Sequence, residues 1–203
     1  MKRYFISLVF AGLFVSVQAQ KMEELFIKMP NDMIVQLEEA WRKDLADLYK
    51  SGKPAVLENT MMGKSVLQKL TDHYLMLQTT ERSVVELRLL PLINNTYIIC
   101  MIETVYAPIA DSRVSFYTTD WQPLSAESIF TPVTEDWFWK EDANESSLTS
   151  DIFLVKYSLS DEHENLTAEY MTPLYLDDEN QQIVKAFLKA DPKIYEWKYG
   201  RFE

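Results

Sequence analysis

The sequence predicts an α+β fold in which an antiparallel β-sheet, in one piece or as two sub-sheets, packs against two main amphipathic helices. Segments with strand-like alternation are grouped after one helical segment, and a second helical segment and a last strand follow them. A parallel α/β sheet would instead alternate strands with helices along the chain. The 203 residues, 47% of them hydrophobic, suit a single domain over residues 20–203 with a substantial core.

The first predicted helix covers about residues 31–50. It starts at the N-cap candidate Asn31 and ends at Ser51-Gly52. Its apolar residues recur at spacings of three and four, and its charged residues, Arg42 among them, fall largely on the other side. We therefore expect a helix of about five turns with one buried face and one face in water.

The stretch Ser83–Pro123 carries the strongest strand signals. Alternation of apolar and charged residues predicts a strand with one buried and one wet face, made by Val85, Glu86, Leu87, Arg88 and Leu89. Asn94-Asn95 tolerates positive φ and predicts a tight hairpin. Tyr97–Val105 is apolar on both faces, which predicts a central strand covered on both sides. Together with strands at Tyr74–Gln78 and Val114–Thr118, these segments predict an antiparallel meander of about four strands.

The second half of the chain predicts a smaller set of elements. Ile152–Leu159 and Leu166–Met171 have the pattern of a second hairpin. A helix is expected over residues 178–189, beginning with a capping-box arrangement at Asp178. The aromatic-rich segment Lys193–Phe202 is expected to form a final edge strand.

No catalytic centre is evident in the sequence. Cys100, the only cysteine, lies in an apolar run and is interpreted as a small buried hydrophobe, whereas a catalytic thiol needs a partner base and partial exposure. A serine-hydrolase set of Ser112, Asp111 and His73 lacks the strained Gly-x-Ser-x-Gly turn, and Asp111 suits a turn equally well. The four glycines are not clustered, which excludes the common nucleotide-binding loops.

The sequence also predicts no metal site and no cofactor. Zinc sites draw on several His or Cys residues at short spacings, and His73 and His163 are far apart. The segment 142–146 begins like a calcium-binding EF-hand loop, but Ser147 stands where the loop needs glycine and Phe153 where it needs glutamate. Carboxylate pairs are plentiful, and nothing selects one pair as the two facing acids of a glycosidase. A hydrolase that uses acidic residues is therefore an alternative interpretation.

A polar, acidic loop carries three consecutive aromatic residues, Trp137-Phe138-Trp139. Three such rings can form a stacking surface for a sugar or a peptide. The alternative is that the alternate rings Trp137 and Trp139 tuck beneath the loop and pin it to the core. Together with loops that leave the sheet, these residues give a candidate binding surface consisting of Trp121, Trp137, Phe138, Trp139 and Asp111.

Residues 1–19 have the pattern of a secretory signal peptide. A charged start precedes the apolar run Tyr4–Val17, and small residues mark a cleavage site after Ala19. The run is shorter than the ~20 residues of a membrane span, and no later stretch is long and apolar enough, so no stable membrane insertion is expected after cleavage. We therefore expect an exported protein, periplasmic or secreted. A formal net charge of −11 argues against nucleic acid as a partner.

Several short motifs resemble an uncharacterised secreted family of Bacteroidetes, a domain of unknown function found in small exported proteins. The resemblance lies in five segments: Val17-Gln18-Ala19-Gln20, Met29-Pro30, Leu89-Leu90-Pro91-Leu92, Tyr106-Ala107-Pro108-Ile109-Ala110-Asp111-Ser112 and Asp120-Trp121-Gln122-Pro123-Leu124. It covers nearly the whole chain after the signal peptide. It implies a Gram-negative periplasmic or secreted location, and it assigns no catalytic residue.

The leading functional hypothesis is a non-catalytic module of the cell envelope or secreted space that binds a protein or a glycan. A strong core, an acidic surface and an aromatic loop without a reactive cluster are the observations behind it. The hydrolase is the first alternative, and a purely structural envelope component is the second.

Overall fold

The structure, a computed structural model, describes residues 21–141 and 152–203. The predicted signal peptide, residues 1–19, and the acidic segment 142–151 with its EF-hand-like start lie outside these residues. The described residues form three α-helices, which are α1 (Met22–Lys28), α2 (Glu39–Lys50) and α3 (Asp178–Phe187). None of these helices has the length and apolar character needed to cross a bilayer.

Two antiparallel sheets make up most of the described chain. The first has seven strands in sequence order, β1 (Val56–Glu58), β2 (Lys64–Leu70), β3 (Tyr74–Thr80), β4 (Ser83–Pro91), β5 (Tyr97–Tyr106), β6 (Ala110–Thr118) and β7 (Pro123–Leu124). The second has the order β11-β10-β9-β8 and is formed by β8 (Val155–Leu159), β9 (Asn165–Tyr170), β10 (Lys193–Lys198) and β11 (Arg201–Phe202). The predicted α+β class with antiparallel sheets is confirmed, and the meander is longer than expected.

The first sheet is covered on both faces. One face carries α1 and α2, whose residues Phe26 and Leu45 share a core with Leu87 and Met101 of the sheet. The other face carries the second sheet, and this core joins residues such as Cys100, Phe116, Tyr157, Leu166 and Phe202. The double burial of β5 and the buried position of Cys100 are as predicted.

Helix α2 is shorter than the sequence predicts. It begins at Glu39, and Glu38 rather than Asn31 is its N-cap residue. The preceding segment forms separate turns, closed by hydrogen bonds from the Met33 amide to the Pro30 carbonyl at 3.2 Å and from Leu37 to Ile34 at 3.1 Å. The apolar spacing of that segment is real, because Ile34 and Leu37 are buried, but the turns achieve this burial without a continuous helix.

Arg42 was expected on the polar side of this helix, and that prediction is wrong: its side chain is 0% exposed. The guanidinium donates to four backbone carbonyls and one amide oxygen, which belong to Phe26, Ile27, Met29, Leu37 and Asn31. Several of these carbonyls lie at or just after the end of α1, where a helix leaves its last carbonyls without internal partners. Arg42 satisfies them. Burial lowers the pKa of Arg42, and the Glu39 carboxylate partly opposes that change.

Candidate functional site

Strand β4 has no wet face. Glu86 is 5% exposed and Arg88 is 3% exposed, although the alternation of charged and apolar residues predicted that both face water. The second sheet packs over this face, and strand β8 with the turn after it covers the two side chains. The sequence prediction for these residues is therefore wrong, because the cover comes from a segment about 70 residues further along the chain.

Glu86 is a buried carboxyl at this interface. Its Oε2 accepts hydrogen bonds from the Tyr74 hydroxyl at 2.8 Å and from the Leu159 amide at 3.0 Å. Burial raises the pKa of Glu86, and the hydrogen bonds from Leu159 and Tyr74 partly oppose the rise. Burial, followed by the nearby Glu86 charge, also raises the pKa of Tyr74 above its usual range.

Arg88 holds the turn that connects β8 and β9. Its Nη1 donates to the Ser160 carbonyl at 2.6 Å, and its Nη2 lies 3.3 Å from Glu164 Oε1. Its Nε is buried and has no hydrogen-bond partner within the described residues. The buried arginine therefore fixes a turn of the second sheet onto the first sheet.

Side chains of the first sheet also satisfy the open edge of β8. Its alternate amides, those of Val155, Tyr157 and Leu159, point away from β9 and donate to Asp111 Oδ1 at 3.3 Å, Ser112 Oγ at 3.0 Å and Glu86 Oε2 at 3.0 Å. We call this arrangement the β8 clamp. An edge strand with unpaired amides is a template for unwanted pairing, and the clamp removes that hazard.

The clamp accounts for two residues that the sequence marked as candidates. Asp111, predicted as part of a binding surface, accepts the Val155 amide. Ser112 is bound to Thr104 Oγ1 at 2.8 Å and to the Tyr157 amide, whereas His73 stacks on Tyr97 with ring centroids 5.7 Å apart. The described contacts therefore do not join these residues into a hydrolytic triad.

Removing the Ser112 hydroxyl should loosen β8. We expect Ser112→Ala to cost about 1–2 kcal/mol, since the buried Tyr157 amide loses its acceptor. Hydrogen exchange should accelerate at Tyr157 and stay unchanged at Lys156, which faces the β9 ladder. Equal acceleration at both amides would show that the hydroxyl does not clamp the edge.

Three of the predicted surface aromatics are buried in the structure. Trp121 is 6% exposed, and its Nε1 donates to the Leu25 carbonyl at 3.1 Å. The Phe138 ring stacks on the Tyr170 ring, with the ring centroids 5.1 Å apart. Trp139 is also buried, and its backbone forms a β-bridge with Leu188. These three side chains are buried, and together they do not form an exposed aromatic surface.

The structure does not have the predicted alternation, in which Trp137 and Trp139 tuck beneath the loop and Phe138 points the other way. Residues Glu135–Phe138 form a turn of 3-10 helix, so neighbouring rings do not point to opposite sides as they would in an extended loop. Phe138 and Trp139 are the rings that pin the segment, and Trp137 is half-buried. Of the five candidate residues of the predicted binding surface, Trp137 is therefore half-buried and Asp111 is exposed, and the other three are buried.

Trp137 lies at a groove between residues 131–134 and strands β10 and β11. The groove encloses about 460 Å³, and its wall includes Lys193, Tyr195 and Arg201. The Lys193 ammonium lies 4.6 Å from the Tyr195 ring centroid and 5.5 Å from that of Trp137. Trp137 is the residue of this groove that the sequence analysis marked, and the position of the groove itself was not predicted, because its two sides are about 60 residues apart.

Positive charge is concentrated around Trp137. Lys189 places its ammonium 4.5 Å from the Trp137 ring centroid and donates to the Trp137 carbonyl. Burial, with the nearby Lys189 charge, lowers the pKa of Lys193. No ion pair joins either lysine to a carboxylate of residues 21–141 or 152–203. Arg201 lies 3.5 Å from Glu203 Oε1, the acidic side chain in the groove wall.

Other reactive groups lie away from this groove. Cys100 is fully buried, and burial raises the pKa of its thiol above the usual range. Glu86 does not line the groove. Across the described ranges, no three or more His, Cys, Asp or Glu side chains are grouped so as to hold a metal ion.

Comparison with known proteins identifies the family. A family model described as "Protein of unknown function (DUF3256)" matches residues 14–202. The chain belongs to this family. The DUF3256 chain is also similar to a solved structure described as "Structure of a domain of an uncharacterized protein from Porphyromonas gingivalis W83". The two share 26% identity with a TM-score of 0.79, over 92% of this chain and 98% of the other.

The membership confirms part of the resemblance seen in the sequence. The DUF3256 family is one of unknown function, and the similar structure comes from a member of the Bacteroidetes. No curated protein matches the chain. The comparisons thus establish the family and the fold of the chain.

Proposed function

We propose that this DUF3256 protein is a non-catalytic binding module of the cell envelope or secreted space, and that its ligand occupies the groove beside Trp137. The ligand is a protein segment or a glycan. The signal-peptide pattern predicted for residues 1–19 supports the location. The observation that supports the site is the pair of lysines, Lys189 and Lys193, which surround a half-buried tryptophan without carboxylate partners in the described chain.

The two lysines place positive charge on a chain that is acidic as a whole, with 31 acidic and 20 basic residues. Lys193 is half-buried, and holding a charge there costs solvation free energy. A ligand that brings negative charge would offset this cost, because an ion pair favours the charged form of the lysine.

A hydrolase that uses acidic residues has less support from the structure. Such an enzyme needs a carboxyl with a raised pKa that can touch a substrate. Glu86 has a raised pKa, but it is sealed between the two sheets and both of its recorded hydrogen bonds serve the fold. The observations therefore favour binding in the groove.

Binding to an array that carries acidic, basic and neutral peptides together with neutral and acidic oligosaccharides tests the proposal. We expect the native protein to bind at least one class, and Trp137→Ala to weaken that binding about tenfold, as loss of an interface aromatic typically does. Tyr199→Ala is the matched control, since it removes a largely exposed ring outside the groove. Circular dichroism would confirm that both variants are folded. Absence of binding to every class, or undiminished binding by folded Trp137→Ala, would refute the proposal.

A further inference from the structure

We infer that the groove takes an extended, acidic segment of a partner protein, which pairs as an additional strand with the free edge of β10. The inference rests on the proposed function and names the chemistry of its ligand. Three observations carry it: the direction of backbone groups in β10, two lysines that form no ion pair within the described residues, and the position of those lysines over the aromatic rings.

Strand β10 keeps an open backbone edge next to the groove. The ladder with β9 pairs Tyr195 with Leu166, and it continues with the Trp197 amide donating to the Glu164 carbonyl at 3.0 Å. Glu196 points the other way and exchanges two hydrogen bonds with Glu203, at 2.9 and 3.0 Å.

Antiparallel pairing alternates along a strand, so Ile194 directs its N–H and C=O to the same side as Glu196. There β11 has ended, and the described residues pair no strand with Ile194 on that side. Ile194 also lies between Lys193 and Tyr195, both of which line the groove. An extended peptide is the ligand that uses such an edge, because its own backbone supplies the matching donor and acceptor.

The positive charge of the lysines favours acidic side chains in the bound peptide. An added strand presents alternate residues to one face, and those that face Lys193 would lie on the groove side of β10. Carboxylates at these positions would approach the ammonium group of Lys193, and Lys189 adds positive charge beside the Trp137 ring. Glu203, the acidic residue in the groove wall, is already engaged by Arg201.

A stacking sugar fits the groove less well than a peptide does. Saccharides stack on an aromatic ring through an open face. The ammonium groups of Lys189 and Lys193 lie over the Trp137 and Tyr195 rings, at 4.5 and 4.6 Å from the respective centroids. The rings thus hold cations in place, and the cations are the groups that remain to contact a ligand.

Fluorescence anisotropy with a labelled, end-blocked peptide of alternating Val and Glu tests the inference. The purified protein should bind this probe, and it should not bind the matched peptide of alternating Val and Lys. Binding should weaken as salt increases, as expected for exposed ion pairs. Two further probes carry N-methyl groups on one or the other set of alternate amides, and at least one of these should lose binding because methylation blocks strand pairing.

Protein variants locate the site. The double variant Lys189→Gln/Lys193→Gln should bind the Val-Glu peptide about tenfold more weakly, as expected when two exposed ion pairs are lost. Lys198→Gln is the control for the loss of a positive charge elsewhere on the same strand, outside the groove. Ile194→Pro removes the free amide from an edge position, where proline is tolerated, and should also weaken binding.

The outcomes separate this inference from the proposed function. If a short oligogalacturonate binds through the groove lysines and the Val-Glu peptide does not, the groove is a binding site but the peptide inference is wrong. If both methylated probes bind as well as the parent peptide, strand pairing is wrong. If the double variant and Lys198→Gln bind the peptide equally, the groove is not its site.

Discussion

Replacing Arg42 by methionine is expected to lower the free energy of unfolding by about 3–5 kcal/mol. The guanidinium makes five hydrogen bonds at 0% exposure, so its removal leaves several buried carbonyls without a donor. Methionine fills much of the space and offers no donor. Urea denaturation followed by tryptophan fluorescence measures the loss.

Two further variants sharpen this experiment. Arg42→Lys keeps the charge but supplies three donors in place of five, so we expect an intermediate loss. Lys43→Met removes a neighbouring exposed cation from the same helix and should change stability by less than about 0.5 kcal/mol. If Arg42→Met lost no more than Lys43→Met, the buried hydrogen bonds would not stabilise the junction of α1 and α2.

Truncating Glu86 should produce the second large effect. We expect Glu86→Ala to cost about 2–4 kcal/mol, because the Tyr74 hydroxyl and the Leu159 amide both lose their buried acceptor. Glu86→Gln retains a side-chain oxygen that can accept these bonds, and it should cost much less. Equal losses in both variants would contradict this assignment, because glutamine keeps the acceptor oxygen that alanine removes.

The pH dependence of the same pair has a definite sign. The pKa of Glu86 in the folded protein lies above its ordinary value of 4.5, so the folded state holds this proton more tightly than the unfolded chain. Its contribution to stability is fully present below pH 4.5 and is lost as the pH rises through the folded pKa. Relative to Glu86→Gln, the native protein should therefore become less stable between pH 4.5 and neutrality. A difference that is constant or grows over this range would contradict the assignment.

The local part of the fold could be predicted from the sequence, because its cause lies in neighbouring residues. Asn95 adopts a φ of 60° in the β4–β5 turn, as the Asn94-Asn95 pair indicated. The two apolar faces of β5 predicted a doubly covered strand, and the structure covers it on both sides. The cap of α3 is shifted by a single residue, to Asp177, whose carboxylate accepts the Asn180 amide.

The partners of the buried charges could not be predicted from local pattern. Arg42 stands three residues before the buried Leu45, so its position on a buried face is readable from helical spacing. That it remains charged there depends on the carbonyls of α1, which only the tertiary fold brings together. Glu86 and Arg88 likewise look like surface residues until β8 is placed over them.

Of the residues named at the groove, Trp137 is the one that was predicted from the sequence as a candidate. Its neighbours Lys193 and Tyr195 looked like part of an ordinary edge strand, and Lys189 like a residue near a helix end. Their meeting depends on how the segment at 131–139 crosses the second sheet. No spacing rule predicts such a crossing, because the segments are far apart in the chain.

The β8 clamp also determines how the two sheets are aligned. Apolar contacts between sheets are non-directional, and a small slide would keep most of the buried area. Hydrogen bonds are directional, and sliding the second sheet along the first by one residue, roughly 3.3 Å, would move the amides of Val155, Tyr157 and Leu159 out of reach of their acceptors. The acceptors on the first sheet, a buried carboxylate among them, would then have no donor. Polar residues at this interface thus select a single alignment, and the apolar residues around them supply the strength of the contact.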